Sequence, residues 1–266
     1  MLLHPKQINC MAFYKKNIFD PKSKEPFTLS RSKVDLFVEC PRCFYLDQRL
    51  SVKRPSIPSF TLNNAVDELF KKEFDIHRAK REAHPLMKTY GIDAVPFQDE
   101  RMEEWRDALR RGIIYHHEPS CLRLRGGIDD IWQNKDGELI VVDYKATAGK
   151  EEVNLNDKWK AGYKRQVEIY QWLFRQNGFP VSKTAYFVYA NGQTDRKAFD
   201  GTLEFDVTIL PYEGDDTWIP DVLMNIRTTL MSDEVPKKGD TCEYCAYRDA
   251  AGKILLEKYR EGKAKK

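Results

Sequence analysis

Residues 126–145 read GGIDDIWQNKDGELIVVDYK, and this segment constrains the fold more than any other. Two runs rich in β-branched and aromatic residues flank an Asp136-Gly137 turn, which predicts antiparallel strands over 121–133 and 138–145. Side chains alternate along the second strand, so Leu139, Val141, Asp143 and Lys145 share one face while Ile140, Val142 and Tyr144 share the other. A three-residue loop, Lys135-Asp136-Gly137 with Gly137 left-handed, makes Asn134 oppose Glu138 and sets Asp129 across from Asp143. A four-residue loop would instead oppose Asp129 to Val142 and send the two carboxylates to opposite faces. Neighbouring carboxylates repel, and burying them unpaired costs several kcal/mol, a penalty that a divalent cation removes. Hard oxygen ligands of this kind suit Mg²⁺ or Mn²⁺.

The rest of the chain can be organised around this hairpin. Residues 1–29 mix lysines and prolines without a period and are expected to be an irregular lead-in. Ser30 or Ser32 can cap a short helix through Val34, Phe37 and Val38, and Pro41 suits the first turn of a second. Residues 53–60 read as a linker. Leu62, Ala65, Val66, Leu69, Phe70 and Phe74 recur at helical spacing, so a helix from 62 to about 81 is expected, with Asp67 at the edge of the apolar arc, Glu68 outside it and Glu73 within it. Further helices are expected around 100–111, 157–176 and 217–231, and strands over 183–190 and 203–210. The domain expectation is an N-terminal segment 1–60, a core 61–231 and a C-terminal segment 232–266 with a basic tail.

At this point the residues resemble a known family. G-x-I-D followed by V-V-D-Y-K is similar to the PD-(D/E)XK nuclease motif in its RecB-like form, and Gln166 and Tyr170 in RQVEIYQW match the Gln-x-x-x-Tyr signature of that group. The resemblance implies an α/β fold with a restriction-endonuclease-like core, a central mixed sheet flanked by helices. It also implies hydrolysis of DNA phosphodiesters, with Asp129, Asp143, Asp67 and the Tyr144 carbonyl as ligands of Mg²⁺ or Mn²⁺. Lys145 would orient or help deprotonate the attacking water. Gln166 would position the site, and Tyr170 would offer a surface to a nucleobase or sugar. Asn63 and Asp67 stand where this group usually has a glycine and a metal-binding histidine, and Glu68 is the fallback for the third ligand.

Four of the six cysteines fall in two pairs, Cys40/Cys43 in CPRC and Cys242/Cys245 in CEYC. Each two-residue gap lets both thiolates reach one centre, so the pairs together would tie the two ends of the chain through four sulfurs. RecB-like relatives, including four-cysteine CRISPR-associated exonucleases and the AddB nuclease domain, hold a [4Fe-4S] cluster with one cysteine upstream and three downstream. The resemblance therefore implies a [4Fe-4S] cluster, with zinc as the alternative that Cys₄ equally allows. Cys10 and Cys121 have no partners at ligand spacing, and adjacent His116 and His117 point apart.

Composition bounds what remains. In 266 residues, 41% hydrophobic and 32% charged, there is material for one large globular core, which excludes disordered and collagen-like classes. No apolar run approaches the ~18 residues of a membrane span, and MLLHPKQINC lacks the pattern of a secretory signal, so a cytoplasmic protein without a membrane partner is expected. A net charge of +3 requires any nucleic-acid surface to be a local patch. Lys158, Lys160, Lys164 and Arg165, interleaved with Trp159 and Tyr163, are the expected phosphate track. No nucleotide-phosphate loop is present, so a helicase partner would act in trans. The expected activity is a Mg²⁺- or Mn²⁺-dependent DNA exonuclease acting on single strands or duplex ends. Its rival is an inactive nucleic-acid-binding module built on the same fold.

Overall fold

The fold was obtained as a computed structural model, which describes residues 17–264 other than 57 and 59. Cys10, Lys15, Lys16 and the last two lysines of the tail lie outside the described residues.

The hairpin fixes the centre of the molecule. Gly137 adopts φ 82°, the left-handed conformation that the three-residue loop requires. Strand β5 (Asp130–Asn134) then pairs antiparallel with β6 (Leu139–Ala148) in the expected register, Asp130 opposite Val142 and Gln133 opposite Leu139. Helix α6 (Ala161–Gln176) crosses from β6 to β7 (Thr184–Gly192), which pairs parallel to β6. β8 (Phe205–Glu213) returns antiparallel beside β7, and β2 (Ala94–Pro96) closes the other edge against β5. The result is a five-stranded mixed sheet in the order β2-β5-β6-β7-β8.

The run 121–133 is not one strand but two. Strand β4 (Leu122–Gly126) belongs to a separate three-stranded sheet, between β1 (Phe27–Ser30) and β3 (Ile113–His117). Gly126 and Gly127 sit at the break because no side chain fits there. A Cβ on Gly126 would lie 2.6 Å from the Tyr170 ring, and one on Gly127 would lie 2.4 Å from Ala108.

Helices cover both faces. α1 (Arg31–Glu39) and α2 (Pro41–Gln48) meet at Cys40, with Pro41 in the first turn of α2. Phe27, Leu29, Val34 and Phe44 share one apolar core with Ile131, Val141, Ile169, Phe174 and Leu223, so residues ahead of the 53–60 linker help build the main body. α7 (Ile219–Met231) packs on α1 and α2. On the other face, α3 (Thr61–Lys80) sets Phe70 and Phe74 against Trp132, Tyr144 and Val188. α4 (Pro85–Thr89) follows, and the helix expected over 100–111 is confined to α5 (Met102–Arg106). α8 (Glu243–Ala264) ends the chain, with Cys245 its one buried residue among those described. Among the described residues no helix is long and apolar enough to cross a membrane.

The inward face of α3 is rotated from the apolar arc. Leu62, Leu69 and Ile76 are exposed, while Phe70, Phe74 and Arg78 are buried and Asp67 and Lys71 are half-buried. Glu73, expected inside, is exposed and pairs with the Nε2 of buried His84 at 2.9 Å. The helix turns a partly charged stripe inward because buried Asp130 on β5 and half-buried Asp129 just before it receive Arg78 and Lys71.

Candidate active site and cysteine centre

β6 carries Asp143 and Lys145 on one face, as alternation requires. Asp143 is fully buried, and its carboxylate meets the Lys145 ammonium. Gln166, one turn into α6, donates its amide to Asp143 Oδ1 at 2.7 Å and to the Tyr170 hydroxyl at 3.3 Å. Asp129 lies just beyond the paired part of β5, where its Oδ2 accepts from the Tyr144 N–H at 3.0 Å. Lys145 Nζ also lies 3.5 Å from the Tyr144 carbonyl and 4.7 Å from the centre of the Tyr163 ring. Asp129, Asp143, Tyr144, Lys145 and Gln166 thus meet at one end of the hairpin.

Burial pushes the Asp143 carboxyl up to about 7 and Asp129 adds to the rise, although the Lys145 ammonium opposes it. For Lys145, burial works against the charged form, but Asp143 and Asp129 outweigh it and hold its pKa above the ordinary lysine value. In the metal-free site these two carboxylates therefore keep Lys145 as an ammonium.

Asp67 approaches from α3. Its Oδ2 accepts from Lys71 Nζ at 2.7 Å, and its Oδ1 is buried without a hydrogen-bond partner. Burial and the nearby Asp129 both raise its pKa. Glu68, the alternative ligand, is exposed and pairs with Lys72 at 3.3 Å on the outer face. Asn63, in the position of the family glycine, donates to the Ala146 carbonyl at 3.0 Å and clamps the start of α3 to β6.

Tyr170 corrects an expectation. It is buried, with its hydroxyl between Gln166 and the Arg31 guanidinium, so it presents no ring to a base and instead fixes Gln166. The expected phosphate track is also reduced. Lys160 is buried, donates to the Asn154 carbonyl at 2.6 Å and pairs with Asp157 at 2.8 Å, and Arg165 pairs with Asp35. Trp159 precedes α6 and stays 62% exposed, apart from the buried stripe of Gln166, Tyr170, Leu173 and Phe174.

Several residues beside the site escaped the sequence reading. Asp130 is fully buried and receives the Arg78 guanidinium, the Arg106 Nη2 at 3.3 Å and the Tyr144 hydroxyl at 2.6 Å. Arg106 also donates to the Asp129 carbonyl at 3.1 Å and to both Asp75 oxygens, at 2.8 and 3.0 Å. This network anchors the backbone that carries Asp129. Lys71 was missed as well, although its position four residues after Asp67 is the spacing of a helical ion pair.

Access is from the α3 side. Asp67 and Asp129 keep 31% and 20% of their side-chain surface, whereas Asp143 keeps none. A cavity of about 350 Å³ is lined by Lys71, Asp75 and Arg106 and one of about 380 Å³ by Thr147, Trp159 and Tyr189; Asp67, Asp129 and Asp143 line neither.

The cysteines form the second centre. Cys40 and Cys43 flank the first turn of α2, and Cys242 and Cys245 stand at the root of α8. Sγ separations are 3.5 Å for Cys43–Cys245, 3.6 Å for Cys43–Cys242 and 3.7 Å for Cys40–Cys245, and all four sulfurs lie within 4.8 Å of one another. The Gly239 N–H donates to Cys40 Sγ at 3.2 Å and Arg54 to Cys242 Sγ at 3.5 Å. Burial works against the Cys40 thiolate, but backbone donors led by Gly239 bring its pKa down to about 6. Among the described residues this is the one group of three or more such ligands drawn so closely together; Asp67, Asp129 and Asp143 are spaced more widely. His117 bonds Ser120 at 2.8 Å and Cys121 contacts the Lys24 carbonyl at 3.7 Å.

Comparison with known proteins adds three findings. A family model described as the PD-(D/E)XK nuclease superfamily matches residues 60–250. No curated protein matches the sequence. A solved structure described as "Crystal structure of SSO0001" is 17% identical over 80% of this chain and 80% of that one, with a TM-score of 0.36, a likeness too distant to carry weight.

Proposed function

Since the chain belongs to the PD-(D/E)XK nuclease superfamily, we propose that it is a metal-dependent DNA exonuclease of the RecB-like group. The meeting of Asp129, Asp143 and Lys145 at one end of β5 and β6, with Gln166 holding Asp143, is the observation that supports this most. The donors fit a hard cation: three carboxylates, two of them with a buried oxygen lacking any hydrogen bond (Asp67 Oδ1, and Asp143 Oδ2, which meets only the Lys145 ammonium), beside a backbone carbonyl. Asp67, Asp129, Asp143 and the Tyr144 carbonyl would hold Mg²⁺ or Mn²⁺. When bound, the ion supplies Lewis-acid activation of water and neutralises charge developing on the phosphate.

The protein's own groups do the rest. The Lys145 ammonium faces the site, orients the attacking water and stabilises its developing negative charge. Gln166 and Tyr170 keep Asp143 in place. Arg106 and Asp130 hold the Asp129 backbone. The partly open edge at Asp67 and Asp129 is where the scissile phosphate enters, and a helicase or other DNA-processing protein in trans would supply the ends.

The test is cleavage of end-labelled single-stranded and duplex DNA with and without Mn²⁺. Mn²⁺-dependent release of products is expected from the wild type and none from Asp143→Asn or Lys145→Met. Equal cleavage by these variants refutes the assignment, and DNA binding without cleavage by the wild type supports the inactive module.

For the cysteine centre, one observation favours zinc over the [4Fe-4S] cluster that the resemblance implies. Four thiolates ~2.3 Å from one tetrahedral ion lie ~3.8 Å apart, and the four sulfurs here all lie within 4.8 Å of one another, three of the pairs at 3.5–3.7 Å. In a cubane each thiolate binds a different iron, so the sulfurs must spread around the whole cluster. Anaerobic purification should give colourless protein with one zinc per chain. A visible thiolate-to-iron band with stoichiometric iron restores the cluster.

A further inference from the structure

Lys71 is placed oddly for a surface lysine. It lies on α3 one turn beyond Asp67, its side chain only 19% exposed, with Nζ 2.7 Å from Asp67 Oδ2 and 3.6 Å from Asp129 Oδ1. It thus bridges two of the three carboxylates of the site, while Lys145 neutralises the third. With all three carboxylates ionised and both ammonium groups in place the cluster keeps one net negative charge; with Lys71 removed it keeps two, the complement of a divalent cation. The Lys71 ammonium and a divalent ion cannot share Asp67 and Asp129 without repulsion at contact distance.

We propose that Lys71 is an internal counter-ion that holds the cation's place between Asp67 and Asp129, and that metal binding displaces it toward the DNA phosphate. This rests on the nuclease reading and adds a residue and an exchange to it. No covalent step is involved: in the metal-free site a lysine offsets the repulsion between the two carboxylates, and the cation enters by trading places. The displaced ammonium remains on the open side of the site, one helical turn from Asp67, where a phosphate oxygen is its natural partner. Lys71 therefore opposes metal binding and favours substrate binding.

That opposition gives the test its signature, because a lysine with a merely structural role would weaken both interactions when lost. Full-length wild type, Lys71→Met, Lys71→Arg and Asp129→Asn are titrated calorimetrically with Mn²⁺ after dialysis into metal-free buffer. Lys71→Met should bind Mn²⁺ about tenfold more tightly than wild type, equivalent to ~1.4 kcal/mol, and Lys71→Arg should stay near the wild-type value. With Ca²⁺ in place of Mn²⁺, Lys71→Met should bind a labelled single-stranded oligonucleotide more weakly, with its salt slope reduced by about one. A second measurement needs no variant: in the wild type, acetylation of the Lys71 amine, followed by peptide mass spectrometry, should become several-fold faster when Mn²⁺ is added.

Wild type that binds Mn²⁺, while Lys71→Met binds it no more tightly or Lys71 acetylation does not accelerate, overturns the counter-ion role and leaves the nuclease reading standing. Wild type that fails to bind Mn²⁺, or binds it no better than Asp129→Asn, overturns both.

Discussion

Asp143 has no exposed surface, and its neighbours decide what charge it can carry. An unfolded aspartate titrates near 3.8, whereas burial moves this one up to about 7. Between those values the native metal-free chain binds a proton that the unfolded chain does not, so this group makes stability fall as pH rises across the window. Asp143→Asn cannot ionise and should remove that contribution. Thermal unfolding of both proteins from pH 4 to pH 7 in chelator-free, metal-free buffer checks it, and parallel profiles would count against the assignment. In the same window Mn²⁺ must displace the proton, so wild-type Mn²⁺ affinity should climb with pH and level off above about 7. Gln166 bears on the same carboxylate. Gln166→Leu removes a buried donor 2.7 Å from Asp143 Oδ1, and the loss of an orienting partner of this kind lowers metal affinity by about 10- to 100-fold. Calorimetry that finds Mn²⁺ binding unchanged in Gln166→Leu would show that the amide does not orient the site.

The elements differ in how legible they were. The β5–β6 hairpin could be read to the residue because its register depends on local chemistry, a loop whose third residue must be left-handed and is glycine. The break at Gly126-Gly127 was hidden because it depends on Tyr170 and Ala108, which reach it from elsewhere in the chain. The inward face of α3 was misjudged for a similar reason. Apolar spacing counted Leu62 and Leu69, yet the helix is turned by Arg78 reaching Asp130 on β5 and by Lys71 reaching Asp129. Long-range ion pairs leave no periodic trace in a sequence. They can be weighed, however. Arg106→Met strips partners from Asp75, Asp130 and the Asp129 carbonyl, and breaking a buried pair of this kind costs about 3–5 kcal/mol. Asp130→Asn combined with Arg106→Met should cost less than the two changes separately, since each removes the same attraction. Urea unfolding of the four proteins measures the coupling, and strict additivity would mean that Arg106 and Asp130 act independently.

At the scale of the whole molecule the two cysteine pairs bring together parts of the chain about two hundred residues apart, but they are anchored unequally. Cys40 and Cys43 belong to α1 and α2, whose Val34, Phe37 and Phe44 lie in the main core and whose Tyr45 hydroxyl donates to the Ser232 carbonyl at 3.0 Å. Cys242 and Cys245 stand at the root of α8, where the described residues beyond Cys245 are almost all exposed. Apart from the sulfurs, α8 is attached by partly exposed contacts such as Arg42–Asp249 at 3.3 Å and Arg54 over the Tyr244 ring at 4.7 Å, and exposed ion pairs contribute little. The centre therefore fastens α8 to a body that folds around the sheet, so losing the metal should free the helix before it unfolds the core. Cys245→Ser, or wild type stripped by a strong chelator that is then dialysed away, should open proteolytic sites between Ser232 and Cys242 and lower helicity, while the remaining core keeps binding Mn²⁺ through Asp129 and Asp143. If Cys245→Ser instead abolishes Mn²⁺ binding and unfolds the chain in one step, the centre is part of the core's own cooperative unit and α8 cannot be the separable element its exposure implies.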